Sequence, residues 1–378
     1  MNNNNLPTWI NVLLLPLLNI VLAFAVTAVV FVAVDVDPVE AAKLIIEGAF
    51  GYQEGIGYTL YYATNFIFTG LAVAIAFSAG LFNIGGEGQA YIGGLGTGLV
   101  CLALDATMPF YVLLPLSMLG GVLFGALWAL IPAYLQAYRG SHVVITTIMF
   151  NFIASSLMVY LMVNVLKEEG QMSTVSRMLG DSAHLPFIHE MLASIGISFD
   201  ASPLNFSFIL ALLALVFVWA LLWRTRWGFA IRALGASPSA TNYGGINPKR
   251  LTVIVMLISG GMAGLLGMNE VTGYSHQLRL DFVAGYGFTG IAVALIGRGH
   301  PIGILFASIL FGVLFQGGNE LAFEYDNIER EMVVVVQSLV VLFSGALSLM
   351  LVNPVSKIYH AIKERSARNE QASAVKEA

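Results

Sequence analysis

Charge is almost absent from ten long stretches of this chain: 9–34, 57–80, 85–104, 109–137, 142–166, 204–223, 251–274, 282–297, 301–319 and 331–352. A helix needs roughly 20 apolar residues to cross the hydrocarbon core of a bilayer. In that core no water pairs with exposed backbone groups, so only helices or closed barrels satisfy them. None of the stretches alternates as a membrane barrel strand would. The pattern therefore predicts an all-α, polytopic membrane protein with about ten transmembrane helices. Composition agrees: 58% of the residues are hydrophobic and 10% charged, where soluble domains carry about 25% charged residues. The third and eighth stretches are glycine-rich or short, and either is open to being broken or re-entrant. The first is far longer than a signal-peptide core and has no basic residue before it, so it reads as a span.

The basic residues fix an orientation. With the N-terminus in the cytoplasm, the loops on that side carry Arg139, Arg224, Arg226, Arg232, Lys249, Arg250 and Arg298, and the tail adds five more. That is twelve of the seventeen Lys and Arg, as the positive-inside rule requires. The expected organisation is a membrane domain over 1–355, with both termini cytoplasmic, and a charged tail over 356–378. A cytoplasmic loop spans 224–250 and an extracytoplasmic loop spans 167–203. That outer loop is acidic, with Glu168, Glu169, Asp181, Glu190 and Asp200. The stretch Asn319 to Glu331 is denser still. Both read as solvated surface or as a docking face for an outside partner.

Several function classes fall away. The single cysteine, Cys101, excludes an intramolecular disulfide. The six histidines are scattered and form no metal-ligand pattern. No phosphate-binding GxxxxGK[ST] loop occurs, and no nucleophile–base pair or cofactor motif stands out. The chain is expected not to be an enzyme, to bind no metal or cofactor itself, and to have the lipid bilayer rather than nucleic acid as its surroundings.

The segment FNIGGEGQAYIGG, Phe82 to Gly94, sits oddly among apolar runs. A charged group at membrane depth costs at least ~2.5 kcal/mol, so it turns to a protein interior or an aqueous path. Gly85, Gly86 and Gly88 each weaken helix by nearly 1 kcal/mol relative to alanine. A helix restarting near Glu87 would aim its positive end at the break. Asn83, Glu87 and Gln89 then line or gate a polar path, or Glu87 caps a helix at the cytoplasmic boundary. Asn65, Thr147, Asn151 and Glu270 are further polar candidates. Asn151 serves equally as interhelical glue or substrate contact. Thr146 and Thr147 favour bonds back to their own helix. Glu270 is expected near the outer surface. FTGLAVAIA at 68–76 resembles FTGIAVALI at 288–296, a candidate direct repeat.

The loop 224–250 has local order. Ser237 followed by Pro238 reads as N-cap and first helical position, and Gly244 with Gly245 as the stop. A helix of about two turns, Pro238 to Tyr243, is expected between basic flanks. Such a helix is suited to a groove in another protein.

These residues carry a resemblance. RALGASPSATNYGGI resembles the coupling segment of permease subunits of ABC importers. FNIGGEGQ and VITTIMFNFIA resemble signatures of the ribose-, simple-sugar- and purine-nucleoside-type permeases, kin to the branched-chain amino-acid permeases. The chain departs from many of them at Val143, where an acidic residue is common. The resemblance implies two permease subunits, copies or homologues, forming the path in a bacterial-type plasma membrane. It implies cytoplasmic ABC ATPase subunits that use the ATP, and an extracytoplasmic solute-binding protein. Arg232, Gly235, Ala236, Pro238, Ala240, Tyr243, Gly244 and Ile246 would form the ATPase-coupling segment, with Gly235 and Gly244 allowing tight turns. The substrate path would involve Asn83, Glu87, Gln89, Asn65, Thr147 and Asn151. The expected solute is a nucleoside or simple sugar. A branched-chain amino acid or another small solute stays open, as does an ion-driven secondary transporter.

Overall fold

A computed structural model describes residues 7, 10, 14–33, 35–325, 334–336, 338–339, 342–343, 354–357 and 359–361. Most of the tenth apolar run, most of the tail 356–378 and the acidic residues beyond Tyr325 lie outside the described residues. The chain divides into two compact units, residues 45–320, and residues 1–44 with 321–378.

In the terminal unit, α1 (Leu15–Ala33) follows a small cluster in which Ile10 packs with Leu14, Val355 and Tyr359. Asp37 then accepts hydrogen bonds from the Val39 and Glu40 amides and starts α2 (Pro38–Phe50), whose residues from Ile45 on belong to the other unit. Sequence reading missed α2 because Glu40, Lys43 and Glu47 interrupt its apolar residues.

The unit 45–320 is helical. It contains α3 (Gln53–Ser78), α4 (Gly86–Leu104), α5 (Phe110–Tyr134), α6 (Val143–Leu161) and the short α7 (Ile188–Ser194). Then come α8 (Ser207–Arg224), α9 (Arg226–Ala236), α10 (Pro238–Tyr243), α11 (Pro248–Gly264), α12 (Tyr286–Ile296) and α13 (Pro301–Glu324), whose last turn passes residue 320. Wider π-turns extend α5 to Arg139 and α6 to Leu166, and one over Met268–Ser275 follows α11. Among the described residues the only β pairing is two isolated bridges.

Six of the described helical stretches are long and apolar enough to cross a membrane. Burial separates them. In α3 83% of the apolar window is buried, and in the stretch Pro248–Ser275 78%, so these are central. For α5 and α6 the figure is 28%, so most of their apolar surface faces outward, as a bilayer allows and water would not. Small residues set the core: β-carbons on Gly93, Gly125 or Gly264 would collide with the backbone of a facing helix. Such surfaces let membrane helices approach closely. The eighth apolar run is shorter than the others suggest. Its helix, α12, has eleven residues, about 16 Å at 1.5 Å per residue, and cannot cross alone.

The loop 167–203 is not simply solvated. Arg177 pairs with Asp105 at the end of α4 through two hydrogen bonds, 2.7 and 2.9 Å, and also donates to the Leu102 carbonyl. That guanidinium holds the Asp105 carboxyl below the usual carboxylate range. Backbone bonds run from Leu179 to His276 and from Leu185 to Thr272. The loop is thus stitched across the ends of α4 and α11, with Glu169, Asp181, Glu190 and Asp200 left exposed.

The two similar strings, 68–76 and 288–296, lie on neighbouring helices. Tyr62 and Phe66 meet Tyr286, Thr69 meets Gly290, and Gly70 meets Val293. The sequence separation stays near constant along these contacts, so α3 and α12 run parallel.

Candidate functional site

The chain leaves α3 through a left-handed Gly80 (φ 72°), a conformation that glycine adopts without a Cβ clash. Leu81 to Ile84 carry no regular structure, and α4 begins at Gly86. The polar residues of FNIGGEGQ hold this break together. Asn83 accepts from the Gly85 amide (2.9 Å) and exchanges hydrogen bonds with Gln89, its Nδ2 donating at 2.9 Å and its Oδ1 accepting at 3.1 Å. Its Nδ2 also donates to Ser259 of α11 (2.9 Å), whose hydroxyl donates to the Ala72 carbonyl of α3 (2.7 Å). From α6, Asn151 accepts from the Gly88 amide (2.9 Å) and donates to the Ile84 carbonyl (2.9 Å). Asn83, Gln89 and Thr147 are buried and Asn151 nearly so. Thr147 bonds back to the Val143 carbonyl of its own helix (2.8 Å). Ser259 lies about three turns into α11, so the network sits inside the bundle.

Glu87 closes the other side of the break. Its two carboxylate oxygens accept from the amides of Gly285 (2.9 Å) and Gly287 (2.7 Å), which begin α12. A β-carbon on Gly287 would overlap the Glu87 backbone. Two helix N-termini, those of α4 and α12, therefore meet at one carboxylate. Each contributes partial positive charge and unpaired amides. Glu87 does cap a helix, and the helix is α12, reached from another segment of the chain.

Asn65 is not part of this group. It lies 13 residues before the end of α3, roughly 20 Å away along the helix. There its Nδ2 donates to Glu270 (2.5 Å), as does the Tyr61 hydroxyl (2.6 Å). Asn269 donates to Asn65 Oδ1 (2.9 Å) and accepts from Asn205 (2.9 Å) and Ser207 (2.7 Å). Glu270 is 5% exposed, enclosed because the π-turn Met268–Ser275 directs it at α3. Tyr61, Asn205 and Asn269 were not singled out from the sequence. The signal for Asn269 and Glu270 was two adjacent polar residues at the end of an apolar run.

The loop 224–250 is capped at three places. Thr225 accepts from the Gly228 amide (3.0 Å), Ser237 from Ala240 (3.2 Å), and Asn247 from Lys249 (3.0 Å) and Arg250 (3.2 Å). The helix Pro238–Tyr243 has the expected bounds. Thr241 is its buried anchor, and Tyr243 is 94% exposed. Arg232, Ala236, Pro238, Ala240 and Gly244 are also exposed, and Ile246 is half-buried. The preceding helix α9 was not anticipated. Two glycine roles differ from expectation. The left-handed residue is Gly245 (φ 79°), while Gly244 has an ordinary φ of −73°. Gly235 makes no tight turn either. It lies in α9 against the turn after α3, where a β-carbon would overlap the Ser78 carbonyl oxygen. Gly80, in turn, faces the Gly235 backbone.

Among the described residues no group of three or more His, Cys, Asp or Glu is placed to hold a metal ion. The arrangement instead offers a joint: an exposed helix, a backbone contact, and a polar break inside the bundle.

The family profile described as branched-chain amino acid transport system / permease component matches residues 55–347. A nucleoside ABC transporter permease protein of Lactococcus lactis subsp. cremoris is 34% identical over 95% of this chain and 98% of its own length. A guanosine ABC transporter permease protein of Bacillus subtilis is 35% identical over 88% and 92%. A glucose ABC transporter permease protein of Haloferax volcanii is 33% identical over 87% and 86%. No solved structure matches.

Proposed function

The chain belongs to the branched-chain amino acid transport system / permease component family, and from that membership we propose that it is the permease subunit of an ATP-binding-cassette importer for nucleosides. Two relatives with names of that kind, similar over most of their length, support the solute class. A simple sugar is the second reading, favoured by the glucose-named relative.

In this reading the protein is a multi-pass component of a bacterial-type plasma membrane, with ten crossings, one of them made by α12 together with the chain that leads into it, and both termini in the cytoplasm. α10 seats in a cytoplasmic ATPase subunit, which uses the ATP. The stitched loop 167–203 faces a solute-binding protein outside. A second permease, a copy or a homologue, completes the path. The observation that carries the mechanism is the Gly235–Gly80 backbone contact. Movement of α10 on ATP-driven closure is passed through α9 to the turn after α3. That turn leads into the break held by Asn83, Gln89 and Asn151, where α4 and α12 meet at Glu87. Displacing it shifts the central helices against one another and alternates access.

The test is a mild-detergent pull-down of the tagged full chain, followed by reconstituted uptake with labelled guanosine and glucose. Recovery of an ATPase and a binding protein, with ATP-dependent uptake of guanosine, is the expected result. Glucose uptake alone moves the assignment to the second reading. Recovery of the chain alone, with uptake abolished by a protonophore, makes it an ion-driven carrier instead.

A further inference from the structure

The membrane-facing surface between α8 and α13 carries a groove of about 360 Å³, lined by Leu212, Leu215, Val216, Trp219, Ile302 and Leu305. Five residues beyond Trp219 α8 ends in Arg224, whose guanidinium lies 4.9 Å from the centroid of that groove-lining ring. Trp223 meets His300 at 5.1 Å and shares a second recess of about 310 Å³ with Arg298. Arg224 and Arg298 are exposed, and among the described residues neither has a carboxylate within ion-pair distance. Arg298 holds a left-handed backbone (φ 53°), a strained conformation for a residue with a β-carbon.

We propose that this groove and its basic mouth form a binding site for an anionic phospholipid. An acyl chain lies between α8 and α13, and the phosphodiester sits between Arg224 and Arg298. Depth and chemistry agree. α8 stops at Arg224, so the mouth lies at the membrane boundary, where tryptophans anchor at headgroup level. Basic recesses between spanning helices suit anionic headgroups. An apolar partner helix would fill the groove but leave two cations without a counter-charge, so the lipid is the better match. The site does not depend on which solute is carried.

The test is native mass spectrometry of the full chain, extracted in mild detergent and equilibrated with equal phosphatidylglycerol and phosphatidylcholine. Phosphatidylglycerol is expected to be retained about tenfold over phosphatidylcholine, and the double variant Arg224→Gln with Arg298→Gly should remove that preference. Glycine at 298 keeps the left-handed turn, so the change reads charge rather than folding. Equal retention of the two lipids by the unaltered chain, or an undiminished preference in the variant, would overturn the proposal. A second measurement addresses the competing occupant. Cys101 is buried, so Val216→Cys supplies an accessible thiol in the groove. Oxidative cross-linking of that variant to another chain in native membranes would show a protein seated there and defeat the lipid site; labelling by a membrane-soluble maleimide without cross-linking supports it.

Discussion

The turns that end α3 and α12 begin alike and diverge. Each follows a copy of the same FTG-containing helix. Each closes with a six-residue backbone bond, Leu81 to the Ala76 carbonyl in one and Gly299 to the Ala294 carbonyl in the other. The turn after α3 places Gly80 in the left-handed region, and the turn after α12 places both Arg298 and Gly299 there (φ 53° and 66°). After α12, Pro301 starts the next helix at once, with His300 Nδ1 accepting from the Ile302 amide (3.3 Å). After α3, the chain instead turns inward through Leu81 to Ile84, because Asn83 finds its partners only inside the bundle. One turn is gripped on both sides, by Gly235 and by the amide network. The other packs against the start of α13, where a β-carbon on Gly297 would overlap the Ile304 amide, and against Trp223. The same local stop signal therefore gives an inward-turning joint or a tight corner, depending on the residues that follow it.

The sharpest way to break this contrast is Gly235→Leu. The side chain cannot fit against the Ser78 carbonyl, so α9 must withdraw from the turn. The chain should remain in the membrane while uptake per ATP hydrolysed falls at least about tenfold, the loss of a modest coupling free energy. Coupled uptake at the normal ratio would remove the joint from the mechanism. Next in size, Asn83→Leu strips partners from Gly85, Gln89 and Ser259. Denaturation in detergent should show a loss of about 3 kcal/mol or more, since each buried group left unpaired costs ~1–3 kcal/mol. A loss below 1 kcal/mol would mean that the network is not holding the break.

Glu87→Ala frees the α12 amides and should cost about 1–2 kcal/mol, with a clear fall in the initial uptake rate. Glu324→Ala, at an exposed position, should stay within ~0.5 kcal/mol and transport normally. Equal, mild effects on uptake would leave Glu87 a structural cap only. The smallest effect has the opposite sign. Arg298→Gly relieves left-handed strain and should raise stability in detergent by about 0.5–1 kcal/mol, while Gly80→Ala at the matching position should lower it by about 1 kcal/mol or more. If both changes act in the same direction, the two turns are not equivalent.

Much of this protein was legible without coordinates. Helical membrane spans follow from hydropathy over neighbouring residues, and α10 was bounded correctly because Ser237, Pro238 and the following glycines act within one turn. The string match between 68–76 and 288–296 falls on two helices, α3 and α12, that pack side by side. Other features were hidden. α2 and α9 mix charge with apolar residues and gave no continuous run. Which of Gly244 and Gly245, read together as the stop, takes the left-handed position turns on backbone angles that two adjacent glycines do not distinguish. For Asn151, which the residues left between glue and contact, the hydrogen bonds to Gly88 and Ile84 show it bridging α6 to the break.

What the sequence settled by itself is what local forces control: segment type, helix starts and stops, and the presence of polar groups where hydrocarbon would exclude them. Only the tertiary structure decided where those polar groups are satisfied. Glu87 meets amides 198 and 200 residues away, and Asn65 leaves the group it was expected to join for Glu270, 205 residues distant. A buried donor or acceptor must be paired, so each polar residue announces a partner. Its identity depends on which helices pack side by side, and no window of sequence contains that information.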